Sequence, residues 1–191
     1  MTRSHFNIDP DTSIITNAKY ICSPNYDVRP PGTEVDLLVI HGISLPPGKF
    51  NKKSLTYITD LFTNQLDPSL HPYFTEIFQL KVSCHCLINR AGILIQYVPF
   101  KYRAWHAGVS CFNGRTNCND FSIGIELEGS DDLPYTNKQY KTLSALINDI
   151  CRIYKKITLN NIVGHSDIAS DRKTDPGNYF DWQKLQNMLK I

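Results

Sequence analysis

Val35-Asp36-Leu37-Leu38-Val39-Ile40-His41 is the stretch on which the fold turns. Its apolar residues are nearly continuous, the pattern of a buried central strand. A histidine closes the run, and Ser44-Leu45-Pro46-Pro47-Gly48 beyond it must be loop. Leu55, Ile58, Leu61 and Phe62 then recur at helical spacing and predict an amphipathic helix. Val82 to Ile88 and Ile93 to Val98 flank Asn89-Arg90-Ala91-Gly92, which reads as a hairpin. Phe121, Ile123, Ile125 and Leu127 alternate with Ser122, Gly124, Glu126 and Glu128. That is a half-buried strand with both carboxylates on its non-core face. Thr136 and Gln139 make a capping box ahead of Tyr140, Leu143, Ile147, Ile150 and Tyr154, a long helix packing on a sheet. A strand at Asn161-Ile162-Val163 ends at Gly164-His165, and Trp182, Leu185, Met188 and Leu189 mark a last helix. Strands interleaved with helices, plus a hairpin, predict an α/β fold: a single domain with a mixed central β-sheet flanked by helices.

Working outward, the chain has no internal repeat, low-complexity tract or linker-like shift. Its 191 residues, 41% hydrophobic and 20% charged, are enough to build a core without staples. Residues 1 to about 30 are rich in Pro, Asn and Asp and read as an irregular arm packed on the domain. Twenty basic residues against 18 acidic ones give a net charge of +2, with no basic run to track a phosphate backbone. Nucleic acid is therefore not the expected partner. The segment Met1 to Pro10 has no apolar signal core, and no later stretch approaches membrane-spanning length. The expectation is a cytoplasmic protein, off the membrane, whose six cysteines are reduced.

Two predicted strands end in a histidine, His41 and His165, and strand ends in α/β folds are where ligands collect. Ten residues past His165 lies Asp175. Two imidazoles and a carboxylate make a three-ligand zinc set that leaves a fourth position for water. Each histidine taken alone reads more readily as a hydrogen-bonded boundary residue. Glu126 shares its strand face with Gly124, where the missing side chain leaves room for a ligand, and a carboxylate there can take a proton from water. Glu128, two residues on, reads as a solvated strand position. Lys173 precedes Asp175 by two residues, so a turn can aim its ammonium at a developing oxyanion; otherwise it is a surface charge. Cys84-His85-Cys86 is a weaker metal motif, because on a strand the two thiols face one way and the imidazole the other. Small core residues are the better reading of both cysteines.

Four longer segments carry a resemblance that spacing does not supply. They are Val39-Ile40-His41-Gly42-Ile43-Ser44-Leu45-Pro46-Pro47-Gly48, Ala104-Trp105-His106-Ala107-Gly108-Val109-Ser110, Cys118-Asn119-Asp120 continued through Glu126 to Gly129, and Gly164-His165 continued through Lys173 and Asp175 to Gly177. Together they resemble the zinc amidase and peptidoglycan recognition protein family, above all its 1,6-anhydro-N-acetylmuramyl-L-alanine amidases of cell-wall recycling. The likeness runs from about Pro24 to Trp182. It implies a catalytic domain over 31–191 with one zinc ion held by His41, His165 and Asp175. It also implies that Glu126 activates the water and Lys173 stabilises the tetrahedral intermediate. Trp105 and His106 fall in the implied wall of the substrate groove, and Lys81 and Asn117 are further substrate-binding positions. Gly42 stands where the family pattern has Asn. Asn117 stands where it has Arg, near the expected place of the peptide carboxylate. The implied substrate is a small muropeptide, cut between the muramic lactyl group and L-alanine by a monomer. Two rivals keep the fold: a recognition module that binds fragments without cutting, and a lytic amidase acting on intact wall. Loss of the acidic third ligand would mark the first, and Asp175 is present.

Overall fold

The computed structural model describes residues 5–191. Six strands form the main sheet: β1 (Lys19–Tyr20), β2 (Leu37–Ile43), β3 (Cys86–Ile88), β4 (Leu94–Gln96), β5 (Ser122–Glu128) and β6 (Ile162–Gly164). Their order is β1-β4-β3-β5-β2-β6. The β3–β4 hairpin is antiparallel and every other neighbouring pair is parallel, so the sheet is mixed. The helices are α1 (Lys52–Phe62), α2 (Phe74–Ile77), α3 (Asn137–Ile153), α4 (His165–Ile168) and α5 (Trp182–Met188). Among the described residues, no helix is long and apolar enough to cross a membrane.

Local chemistry starts the two long helices. Asn51 accepts from the backbone N–H groups of Lys53 and Ser54 at the head of α1. At the head of α3, Thr136 and Gln139 exchange side chain-to-backbone hydrogen bonds, a cap worth about 1 kcal/mol. The Gln139 amide, fully buried, also donates to the carbonyls of Ile88 and Glu128, which pins the helix to the ends of β3 and β5.

Tyr140, Leu143, Ile147 and Ile150 of α3, with Leu185 of α5, pack on Leu38, Ile40, Ile123, Ile125 and Leu127. The opposite face is covered in two pieces. Ile58, Leu61 and Phe62 of α1 join Phe74, Leu87, Ile95 and Tyr97, while Leu37 and Val39 pack with Ala107, Cys118 and Ile168. Both faces are therefore closed, and every residue of β5 is buried. The half-buried strand read from the alternation is corrected: a period of two reports which residues share a face, not whether that face meets water. Glu128 is only 4% exposed and accepts from the Arg90 N–H at 2.9 Å, so it is not a solvated residue.

Two further expectations change. The hairpin strands are shorter than 82–88 and 93–98, because the chain bends at His85, whose carbonyl receives the N–H of Tyr97 at 2.9 Å. Strand alternation fails at that bend. Cys84 joins the α1 side of the core and Cys86 the α3 side, so the two thiols do not share a face. The arm is also more ordered than its composition suggests, although its residues 1–4 lie outside the described residues. It supplies β1, pairs Tyr26–Asp27 with Arg103–Ala104, and buries Ile15. Arg29, buried and pushed down to about 10 by that burial, donates to the carbonyls of Asn119, Asp120, Phe100 and Ser122.

Candidate metal centre

Sheet register assembles the site. Across β2 and β5, His41 is the direct partner of Glu126, and parallel partners point to the same face. Across β6 and β2, Gly164 pairs with Ile40, so His165, the next residue, comes up beside His41. The sequence predicts His165 at the end of a strand; it is instead the first residue of α4. The Asp167 carboxylate accepts the Gly164 N–H at 2.7 Å and starts that turn. The chain then doubles back: the Ser166 N–H donates to the Asp175 carbonyl at 3.0 Å, which carries the Asp175 side chain to His165.

Three atoms converge there. His41 Nδ1 lies 3.0 Å from His165 Nδ1 and 3.2 Å from Asp175 Oδ2, and His165 Nδ1 lies 3.1 Å from that oxygen. Both rings are buried. Burial outweighs the neighbouring carboxylate and pushes His41 down to about 4, so its imidazole is neutral at pH 7. Burial works against ionisation of Asp175, but the two imidazoles beside it hold its carboxyl below the ordinary range. His165 Nε2 faces the Ala107 carbonyl at 3.2 Å, an acceptor that suits a proton on that nitrogen and a lone pair on Nδ1. Two lone-pair nitrogens and a carboxylate crowded together are the donor set a divalent cation such as zinc takes.

Glu126 completes the arrangement. Its Oε2 is buried without a hydrogen-bond partner, an unsatisfied group that costs about 1–3 kcal/mol. Burial, reinforced by the charge of Asp175 and opposed by Lys173, pushes its pKa well up. A carboxylate so placed is a proton acceptor in waiting. Lys173 is half-buried, and its charge acts on both His41 and Glu126.

The substrate-binding expectations fare differently. Trp105 is half-buried and held through its backbone to Ser83. Lys81 and Asn117 are exposed, and Asn117 adopts left-handed backbone, φ 58°, before a turn of Cys118–Asp120. His106 is buried, with Nδ1 2.9 Å from His41 Nε2. Gly124 does not leave room for a ligand, because a Cβ there would sit 2.4 Å from His106 Cγ. The space is filled by the His106 ring. At Gly42 a Cβ would meet the Tyr135 hydroxyl at 2.4 Å, so Asn at this position requires Tyr135 to move from its bond to the Pro176 carbonyl. Reading the sequence missed Asn119, whose Oδ1 accepts the N–H groups of His106 and Ala107, and Ser122, which touches His106 Nε2. Ser122 carried a signal: it is polar and shares the face of Gly124 and Glu126.

Three ligand atoms gathered at a sheet end, with an unpaired buried carboxylate across from them, are the layout of a metallohydrolase. The family model for N-acetylmuramoyl-L-alanine amidase matches residues 31–178, and the chain belongs to that family. It is 52% identical over 182 residues to 1,6-anhydro-N-acetylmuramyl-L-alanine amidase AmpD of Haemophilus influenzae, covering 95% of this chain and 97% of that one. To AmpD of Escherichia coli K12 it is 53% identical over 175 residues, 92% of this chain and 93% of the other. A crystal structure of AmpD superposes with a TM-score of 0.90 at 51% identity, over 94% of this chain and 98% of that one. Escherichia coli AmiD, in complex with anhydro-N-acetylmuramic acid-L-Ala-D-γ-Glu-L-Lys, matches with a TM-score of 0.62 at 31% identity, over 85% and 62% of the two chains.

Proposed function

We propose that the protein is a zinc-dependent amidase of peptidoglycan recycling. It cleaves the amide between the lactyl group of N-acetylmuramic or 1,6-anhydro-N-acetylmuramic acid and L-alanine in small muropeptides, as a cytoplasmic monomer. The observation that carries the reading is the convergence of His41, His165 and Asp175 opposite the unpartnered Glu126. The identity to AmpD relatives along most of the chain supports the choice of substrate.

In this reading His41 and His165 hold zinc as neutral imidazoles and Asp175 as a carboxylate. The ion supplies Lewis acidity toward water and toward the amide carbonyl. Glu126, whose pKa is raised by burial, takes the proton of the attacking water and returns it to the departing L-alanine nitrogen. Lys173 offsets the negative charge that grows on the carbonyl oxygen. Trp105 lends an aromatic face beside the site, and Lys81 and Asn117 contact the peptide stem.

The test is to incubate the protein with an anhydro-muropeptide and with intact peptidoglycan, with and without chelator, and to weigh the products. Release of free stem peptide from the muropeptide, abolished by chelator and restored by zinc, is expected. Binding without cleavage would return the protein to the recognition reading, and equally fast attack on intact wall would make it a lytic amidase.

A further inference from the structure

His106 and Ser122 form a buried chain that ends on His41. Ser122 Oγ lies 2.5 Å from the Cys118 carbonyl oxygen and 3.1 Å from His106 Nε2. His106 Nδ1 lies 2.9 Å from His41 Nε2. Tautomers are assigned from hydrogen-bond networks, and here one end of the network is unambiguous. A carbonyl oxygen only accepts, so two oxygens 2.5 Å apart require the Ser122 hydroxyl to donate to Cys118. With its proton committed, Ser122 Oγ can only accept from His106, which places the His106 proton on Nε2. A neutral imidazole carries one N–H, so His106 Nδ1 is an acceptor and the His41 proton lies on Nε2. His41 Nδ1 is then a bare lone pair aimed at His165 Nδ1 and Asp175.

We propose that His106 and Ser122 are positioning residues that hold His41 in the Nε2–H tautomer, keeping its Nδ1 free for the metal. The packing is built for this. The His106 ring lies over Gly124, where any Cβ would strike it, and Asn119 clamps its backbone N–H at 3.0 Å. Ser122 and Gly124 alternate with Glu126 on one face of β5, so a single strand supplies the relay acceptor, the space for the relay ring and the unpaired carboxylate. His165 needs no such relay, because the Ala107 carbonyl faces its Nε2 directly. Second partners of this kind typically change metal affinity ten- to a hundredfold.

The inference rests on the zinc-ligand reading of His41, and two readouts separate them. The first uses metal-free wild-type protein labelled with nitrogen-15. Long-range proton–nitrogen correlation of the imidazoles should show His41 and His106 protonated at Nε2 and bare at Nδ1. The second is zinc affinity by competition with a chromophoric chelator. Ser122→Ala and His106→Leu should weaken binding about ten- to a hundredfold. His106→Asn, whose Oδ1 can stand in for Nδ1 as the acceptor, should keep more of it than His106→Leu. In metal-free Ser122→Ala, His41 should show a mixture of tautomers, which a merely structural loss would not produce. A His41 proton on Nδ1 in the wild type overturns the relay, as does wild-type zinc affinity in Ser122→Ala. A wild type that shows the Nε2–H tautomer yet binds no zinc supports the relay and overturns the ligand assignment.

Discussion

His41 and Glu126 are direct register partners on adjacent parallel strands, β2 and β5. The proposed ligand and the proposed base are thus set side by side, both buried, by backbone hydrogen bonding between two central strands. A site on rigid strands keeps its geometry through local motion better than one on loops. Its weakness is that both groups are buried before any ligand arrives, and each carries a cost in the metal-free protein.

Replacing His41, His165 or Asp175 by Ala removes one of three converging donors. Zinc retained after dialysis, measured by elemental analysis, should fall from about one equivalent to a small fraction, and amidase activity with it. Full activity in protein that contains no detectable metal would show the assignment to be wrong.

Glu126→Gln and Lys173→Met should separate metal binding from chemistry. Each variant should keep its zinc while kcat falls about 100- to 1,000-fold, with KM much less affected. Glu128→Gln, on the same strand face, keeps an acceptor for the Arg90 N–H and should turn over at close to the wild-type rate. Near-wild-type turnover by zinc-replete Glu126→Gln would remove Glu126 from the mechanism.

Glu126 also sets a pH signature in the metal-free protein. Its folded pKa is raised above the ordinary carboxylate value by burial, so the folded state holds its proton more tightly than the unfolded state. Stability is therefore lost as pH rises above about 4.5 toward the raised folded value. Glu126→Gln removes that loss. Metal-free melting curves should show the variant more stable than wild type at pH 8, with the gap closing as pH falls into the ordinary carboxylate range. A variant no more stable at pH 8 contradicts this.

Gly124→Ala should be costly although the change is one methyl group. The new Cβ meets the His106 ring, which has Ser122 on one side and His41 on the other. A loss of about 1–3 kcal/mol in denaturant unfolding is expected, with weaker zinc binding. Unchanged stability and zinc affinity would mean that the ring moves aside freely.

Much of the fold was legible because local periodicity and capping agree with the tertiary arrangement. The apolar run before His41 became a strand with every residue from Leu37 to His41 buried, and Thr136 with Gln139 capped the long helix. What failed did so because local periodicity reports neither what covers a face nor where the chain bends. Alternation along 122–128 sorts the two faces correctly, although Phe121, just before the strand, packs with Leu37 and Val39 rather than with Ile123; it cannot say what covers the second face, which buries Glu128 and fills the space over Gly124. At Cys84-His85-Cys86 the chain bends, so strand alternation does not carry the two thiols to one face.

By itself the sequence determined the element types, the mixed sheet, and the short list of residues able to do chemistry, because strand and helix periods and the ionisation of His, Asp, Glu and Lys are properties of neighbouring residues and side chains. The long motifs added the family, since several specific segments in order rarely arise by chance. Only the tertiary structure decided that His41, His165 and Asp175, up to 134 residues apart in the chain, lie within 3.0–3.2 Å of one another. It also set the buried His106 ring against His41 Nε2. These relations depend on strand register and on which rings fill which gaps. They are set by close packing among residues distant in sequence, a free energy that no local stretch contains.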